Sequence, residues 1–374
     1  MAVHAFEITS LAAAGMYAAF LAGEAILLRK ARRTLTHVIH VNGTRGKTET
    51  TRLIAAALRA GGLRTLAKTT GTEPRLLLED GSERRWRRWG AANVREQRDV
   101  LLTAWRRRTA ALVVECMAVA PDAQRASTAF LRPSILVVTN SRPDHEAELG
   151  TPEEALEVFA EGIPPGGLVV TADASLHPTL SRLATLRGAE CLLAERVEGL
   201  PCHPENAGIA LAVALRLGLR REVALHALRD HAPDPGAFAI RHLACPGGRI
   251  TVVDALAAND PISADQLFHR AEQTKGETHP SLLLLANRRD RPDRALTFAR
   301  WAAAQPARWE GVLLAGEAVP KVRRILEEAW PGRVRRIARA EELAQEPAGT
   351  WIYATGNWKT LGPALAQAQR ERDS

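Results

Sequence analysis

Lys47 and Thr48 stand directly behind a turn bracketed by glycines, in Val38-Ile39-His40-Val41-Asn42-Gly43-Thr44-Arg45-Gly46-Lys47-Thr48. That order of residue types suits a phosphate. Glycine lets backbone N–H groups turn toward the oxygens, and a helix that begins at the lysine adds the positive end of its dipole. The Lys47 ammonium reaches terminal phosphates, and the Thr48 hydroxyl offers a ligand to a divalent cation. The general pattern for such loops is G-x-x-x-x-G-K-[ST], but the position five before Gly46 is Val41. The leading glycine is therefore displaced to Gly43, and the loop is short. Glu115 closes the aliphatic run 111–114. A carboxylate at the carboxyl end of a buried strand lies at the sheet rim and supplies a second hard oxygen for the same cation.

These groups need a sheet to hold them. Short aliphatic runs at 37–41, 111–117, 134–140 and 167–173 read as buried strands, with helical stretches at 48–60, 94–107 and 152–161 between them. Strands alternating with helices imply βαβ units and a doubly wound, mostly parallel α/β sheet. Ala232-Pro233-Asp234-Pro235-Gly236 reads as a linker. A second strand set follows at 249–254, 281–287, 311–316 and 350–357. The expected organisation is thus an N-terminal segment 1–35, a central phosphate-loop domain 36–232 and a smaller α/β domain 233–374.

The chain has 374 residues, 46% hydrophobic and 25% charged, which excludes general disorder and collagen-like repeats. Its four cysteines show no CxxC spacing, so neither a zinc nor a disulfide framework is expected. A net charge of +8 favours polyanionic partners without choosing among nucleic acid, lipid and acidic ligands. Residues 8–28 are apolar apart from Glu24, and Arg29, Lys30, Arg32 and Arg33 follow at once. That reads as a single membrane anchor, with the bulk of the chain on the cytoplasmic side.

Gly43-Thr44-Arg45-Gly46-Lys47-Thr48 resembles the loop of the Mur ligase superfamily, the ATP-dependent amide ligases of peptidoglycan and folate polyglutamylation. Other segments are similar in the same order. Asn140-Ser141-Arg142-Pro143-Asp144-His145 resembles the run whose histidine holds a second metal, and Asn206 matches the residue that contacts adenine. Arg241 matches a hinge arginine and Asp254 a ribose-binding aspartate, while Ala258 stands where the family has histidine. Many members use a carboxylated lysine shortly after that metal-binding histidine; here no lysine occurs between Lys68 and Lys275. One branch, the PgsB/CapB type of poly-γ-glutamate synthase, is matched more closely. The segments are the anchor, Lys68-Thr69-Thr70-Gly71-Thr72, Asn93-x-x-Glu96-Gln97-Arg98, Glu115-Cys116-Met117-Ala118-Val119, and the 232–236 linker. Ala257-Ala258-Asn259-Asp260, Asn287-Arg288-x-Asp290-Arg291-x-Asp293-Arg294 and Tyr353-Ala354-x-Gly356-Asn357 complete them.

The resemblance implies ATP-dependent joining of glutamates through the γ-carboxyl by way of an acyl phosphate. It implies Lys47, Glu115 and His145 as the catalytic set, and Thr48, Glu115 and His145 as ligands to two Mg²⁺, with Mn²⁺ an acceptable substitute. ATP would be held by Gly43, Thr44, Arg45, Gly46, Lys47, Thr48, Asn206, Arg241 and Asp254. Glutamate would be met by Thr70, Asn93, Arg87, Arg88, Asn259 and Arg291. The stretch 82–108 holds nine arginines against three acids and reads as an electropositive groove for the acidic product rather than for nucleic acid. Implied partners are membrane subunits of the PgsC/CapC and PgsA/CapA types, and an oligomer is compatible with the sequence. The alternatives are another Mur-type ligase, acting on folate or peptidoglycan, and a membrane-associated phosphate-loop ATPase that drives a partner.

Overall fold

The computed structural model describes residues 2–373 other than 72, 89–91, 144–145, 232–233, 235, 259, 276–281, 290–291 and 318–319, and its side chains apart also from 2–10, 13, 146–147, 274–275 and 369–373. The residues form two compact units, Met1–Pro233 and Asp234–Ser374.

The first unit runs α1 (Ala2–Thr34), β1 (His37–Asn42), α2 (Lys47–Ala60), β2 (Thr65–Thr69), β3 (Arg75–Leu77), β4 (Glu83–Arg85), α3 (Arg95–Arg106) and β5 (Ala111–Glu115). It continues α4 (Pro121–Leu131), β6 (Ile135–Val138), α5 (Glu146–Leu149), α6 (Pro152–Ala160), β7 (Leu168–Thr171), α7 (His177–Thr185), β8 (Glu190–Leu193), α8 (Pro204–Arg216) and α9 (Arg221–Arg229). Among the described residues its sheet has eight strands, ordered β4-β3-β2-β5-β1-β6-β7-β8. All pair in parallel except the β3 and β4 edge. Alternate strand residues serve opposite faces, as the pleat requires. Ile39, Val41 and Val113 pack with α2, α8 and α9, whereas Val38, Leu112 and Val114 pack with α3, Leu131 of α4 and the end of α1. Helices on both faces explain why the strands read as continuous aliphatic runs.

β1 lies between β5 and β6, with Val41 opposite Glu115 and Asn42 opposite Val138. The carboxyl ends of these strands therefore converge beside the phosphate loop, where open α/β sheets bind ligands.

The second unit runs β9 (Ala239–Cys245), β10 (Gly248–Ala255), α10 (Pro261–Lys275), β11 (Leu282–Asn287), α11 (Pro292–Ala303), β12 (Gly311–Gly316), α12 (Pro320–Ala329), β13 (Val334–Ile337), β14 (Trp351–Thr355) and α13 (Trp358–Asp373). The strand order is β13-β12-β11-β14-β10-β9, parallel but for β9 against β10.

α1 is one continuous helix, but the expected 8–28 stretch is divided. Leu11, Met16, Tyr17, Phe20 and Leu21 are exposed, whereas Leu28, Ala31 and Leu35 are buried against the unit. Glu24 pairs with Arg98 at 2.5 Å, and Arg32 donates to the carbonyls of Ala129 and Phe130. Among the described residues no helix is long and apolar enough to cross a membrane.

Candidate active site

Both loop glycines are required by geometry. Gly43 has φ +118°, and a Cβ there would fall 2.2 Å from Thr139 Oγ1; Gly46 has φ +81°, and its Cβ would lie 2.8 Å from Asn206 Oδ1. The left-handed turn at Gly46 starts α2 and leaves the first helical N–H groups directed at the loop. Lys47 Nζ folds back on the loop, donating to the carbonyls of Gly43 at 2.6 Å and Thr44 at 3.2 Å.

Thr48 and Glu115 meet as the loop chemistry requires. Thr48 Oγ1 lies 3.1 and 3.0 Å from the two carboxylate oxygens of Glu115. The Thr70 backbone N–H donates to Glu115 Oε2 at 2.6 Å, so the carboxylate is oriented from two sides. Glu115 is almost fully buried at the end of β5.

Asn140 shapes the loop, a role its place in the sequence does not disclose. Its Oδ1 accepts from the Thr44 hydroxyl at 2.7 Å and the Arg45 N–H at 3.0 Å, its Nδ2 donates to the Arg45 carbonyl at 3.2 Å, and its own carbonyl accepts from Thr44 N–H at 3.1 Å. Thr139 Oγ1 donates to the same Arg45 carbonyl at 2.6 Å. Only the position after an aliphatic run hints at this, since strand ends face the loop. Asn206 sits at the start of α8, where its Nδ2 donates to Glu49 Oε2 at 2.6 Å. Glu49, in the first turn of α2, also accepts from His203 N–H at 3.2 Å. It was not among the expected site residues.

The expected glutamate contacts divide. Thr70 lies in the site through its amide. Asn93 lies two residues before α3, its Oδ1 accepting from Arg95 N–H at 2.9 Å. Arg88 is committed to Glu96, with Nε 2.7 Å from Oε1 and Nη2 3.3 Å from Oε2, whereas Arg87 is exposed. Other arginines of 82–108 also have acid partners: Arg85 with Glu73, Arg98 with Glu24, and Arg107 with Glu79. Counting charge within 82–108 omits those acids, because Glu24, Glu73 and Glu79 lie outside it. Trp86 and Trp105 pack on the core beside α3. Burial pushes Glu96 upward, but the hydrogen bonds from Arg88 and Lys68 outweigh it and hold the carboxyl below its ordinary value.

In the second unit, Arg241 and Asp254 are buried together. Nε and Nη2 of Arg241 lie 3.0 and 2.9 Å from Asp254 Oδ2. Burial raises the Asp254 carboxyl above its ordinary value against the pull of Arg241. At the carboxyl ends of β11 and β14, two expected motifs converge on a pocket lined by Asn287, Arg288, Arg294, Gly356 and Asn357. Asn287 is 2% exposed, and among the described residues neither of its side-chain amide atoms has a partner. His145, Asn259 and Arg291 lie outside the described residues.

The residues fit a nucleoside triphosphate with a divalent ion. The loop is a cradle that side chains at 43 or 46 would fill, and Thr48 and Glu115 are hard oxygen donors. Among the described residues no group of three or more His, Cys, Asp or Glu forms a ready cage.

Residues 41–185 match the Mur ligase middle domain, and residues 240–372 match the poly-gamma-glutamate synthase CapB C-terminal domain. The chain is 32% identical over 274 residues to PGA synthase CapB of Bacillus subtilis, covering 70% of each. It belongs to the CapB family. Capsule biosynthesis protein CapB of Bacillus anthracis is 32% identical over 275 residues, 70% of this chain and 59% of that one. Among solved structures, the bifunctional folylpolyglutamate synthase/dihydrofolate synthase of Yersinia pestis, complexed with AMPPNP and Mn ion, superposes with a TM-score of 0.65 at 16% identity, covering 93% of this chain and 91% of that one. At that identity the likeness is one of fold. The CapB family assignment and the Mur-type α/β architecture agree with the resemblance carried by the motifs.

Proposed function

We propose that this CapB-family chain is the ATP-dependent ligase that joins glutamates through their γ-carboxyl groups to make poly-γ-glutamate. The observation that carries the reading is the Thr48–Glu115 pair at the phosphate loop of a chain 32% identical to a named PGA synthase.

A carboxylate is a poor electrophile, because its charge repels nucleophiles and oxide is a poor leaving group. Phosphorylation supplies the leaving group. A γ-carboxylate oxygen attacks the γ-phosphorus of ATP and ADP departs, leaving an acyl phosphate. The amine of the next glutamate then attacks the acyl carbon, inorganic phosphate leaves, and the amine's proton passes to solvent. The backbone of 43–46 and the Lys47 ammonium bind and orient the phosphates, with Arg45 and Asn140 shaping the turn. Thr48 and Glu115 would hold Mg²⁺, with His145 assigned to a second ion, and these ions would supply charge to offset that of the phosphates. Asn206 is assigned to adenine, Asp254 and Arg241 to the ribose side. Asn259 and Arg291, which follow β10 and β11 in the chain, are assigned to the incoming glutamate, since ligands gather at the carboxyl ends of parallel strands. Thr70, Asn93, Arg87 and Arg88 are assigned to the acceptor chain.

We further infer attachment to the cell membrane through α1, with both units on the cytoplasmic side and with membrane subunits of the PgsC/CapC and PgsA/CapA types as partners. The exposed apolar side chains of Leu11, Met16, Tyr17, Phe20 and Leu21, with Arg29 and Lys30 farther along, support this. ADP formation from ATP that depends on glutamate, with mass analysis of the product, tests the reading. Turnover indifferent to glutamate would instead favour an ATPase that drives a partner.

A further inference from the structure

β2 carries a lysine where an interior strand ordinarily carries an aliphatic residue. Lys68 is fully buried, opposite Val114 on β5 and Leu76 on β3. Its ammonium lies 2.8 Å from Glu96 Oε2, 3.8 Å from Met117 Sδ and 5.7 Å from the centre of the Trp86 ring. Burial lowers the Lys68 ammonium below its ordinary value, and Glu96 pulls the other way.

Stability does not explain such a residue. Replacing a buried ion pair by apolar side chains is often neutral or stabilising. Geometry does explain it. Two residues beyond Lys68, the Thr70 amide holds Glu115 Oε2 at 2.6 Å. One residue beyond Glu96, Gln97 Nε2 reaches the Glu115 carbonyl at 3.5 Å. The Lys68–Glu96 pair therefore fastens β2 to the start of α3, and Glu115 is touched by Thr70, just beyond β2, and by Gln97 of α3. We propose that Lys68 is a positioning residue: its ion pair with Glu96 holds the end of β2 so that the Thr70 amide keeps the Glu115 carboxylate aimed at the phosphate loop, where it sets the affinity for the divalent ion.

The inference rests on the reading of Glu115 as a metal ligand. Removing groups that orient a metal ligand typically weakens metal binding by about 10–100-fold. The test uses the full chain with Lys68→Met, which leaves Glu96 to Arg88, and with Glu96→Gln, which keeps an acceptor for Lys68. Binding of Mn²⁺ to the protein loaded with AMPPNP is followed by loss of the free-ion electron paramagnetic resonance signal. Metal-free binding of a fluorescent ATP analogue and the thermal midpoint are measured beside it. The expected result is Mn²⁺ binding weakened by about tenfold in Lys68→Met and less in Glu96→Gln, with metal-free nucleotide binding within about twofold of wild type. Mn²⁺ affinity unchanged in folded variants would overturn the proposal even if the thermal midpoint fell, because that is the outcome of a purely structural pair. If Lys68→Met does not fold, Glu96→Gln decides by the same criterion. Wild type that binds AMPPNP but shows no nucleotide-dependent Mn²⁺ uptake would overturn the reading of Glu115, and the positioning role with it.

Discussion

Replacing Asn140 by alanine removes three side-chain hydrogen bonds to the phosphate loop, those to the Thr44 hydroxyl, the Arg45 N–H and the Arg45 carbonyl. The backbone bond from Thr44 N–H to the Asn140 carbonyl survives, so the loop loosens rather than detaches. At about 1 kcal/mol net for each bond, the loss is about 3 kcal/mol. If the loop must be ordered to hold phosphate, that loss appears as about 100-fold weaker nucleotide binding. Thr44→Val removes the Asn140 bond and also the acceptor of the Arg142 N–H at 2.8 Å. The two substitutions share one hydrogen bond, so their double mutant is less impaired than the sum by about 1 kcal/mol. A fluorescent ATP analogue titrated against the four proteins of this cycle reads the coupling directly. Asn140→Ala binding within about threefold of wild type, or effects additive within about 0.3 kcal/mol, would refute Asn140 as the shaper of the loop.

Two further outcomes follow from the same geometry. Gly46→Ala places a methyl group 2.8 Å from Asn206 Oδ1 at φ +81°, whereas Gly62→Ala has φ +86° and open space around it. Both pay about 1–2 kcal/mol for the left-handed backbone in urea unfolding, and only Gly46→Ala loses nucleotide binding. Equal binding by the two variants would contradict the packed turn. His40 is buried in β1 with Nδ1 unpartnered among the described residues, and burial pushes its imidazole down to about 4. The unfolded chain takes that proton near pH 6.5, so stability present above pH 6.5 drains away as pH falls toward 4, by about 3 kcal/mol in total. Urea midpoints of His40→Gln should show a flatter slope across that window; a slope equal to wild type would assign the acid sensitivity elsewhere.

The phosphate loop, Glu115 and the strand–helix alternation were legible because each depends on local chemistry. A buried parallel strand must be aliphatic, and a phosphate turn must have glycine where φ is positive. Expected strands run two residues past their observed ends at 117, 140 and 173, because strand pairing stops at the sheet rim without a break in residue type to mark it. β2 is not legible because Lys68 cuts short the apolar run Leu66-Ala67, and a buried charge is intelligible only beside Glu96, 28 positions later. β3, β4, β8, β9 and β13 are short or lie toward sheet edges, where alternation is weak. The roles of Asn140 and Glu49 are unreadable for a related reason: their partners lie far away in sequence, Thr44 and Arg45 in the phosphate loop for Asn140, and His203 and Asn206 at the start of α8 for Glu49. The arginine-rich stretch shows the converse. Its local charge was plain, but its acids lie elsewhere in the chain.

Trapping with hydroxylamine tests the central claim most directly. The purified chain is given ATP, Mg²⁺, glutamate and hydroxylamine, and the products are analysed by mass spectrometry. A γ-glutamyl hydroxamate formed with ADP, and absent from Lys47→Ala, is the predicted result. ADP formed without any hydroxamate, and at the same rate without glutamate, would contradict an acyl-phosphate ligase.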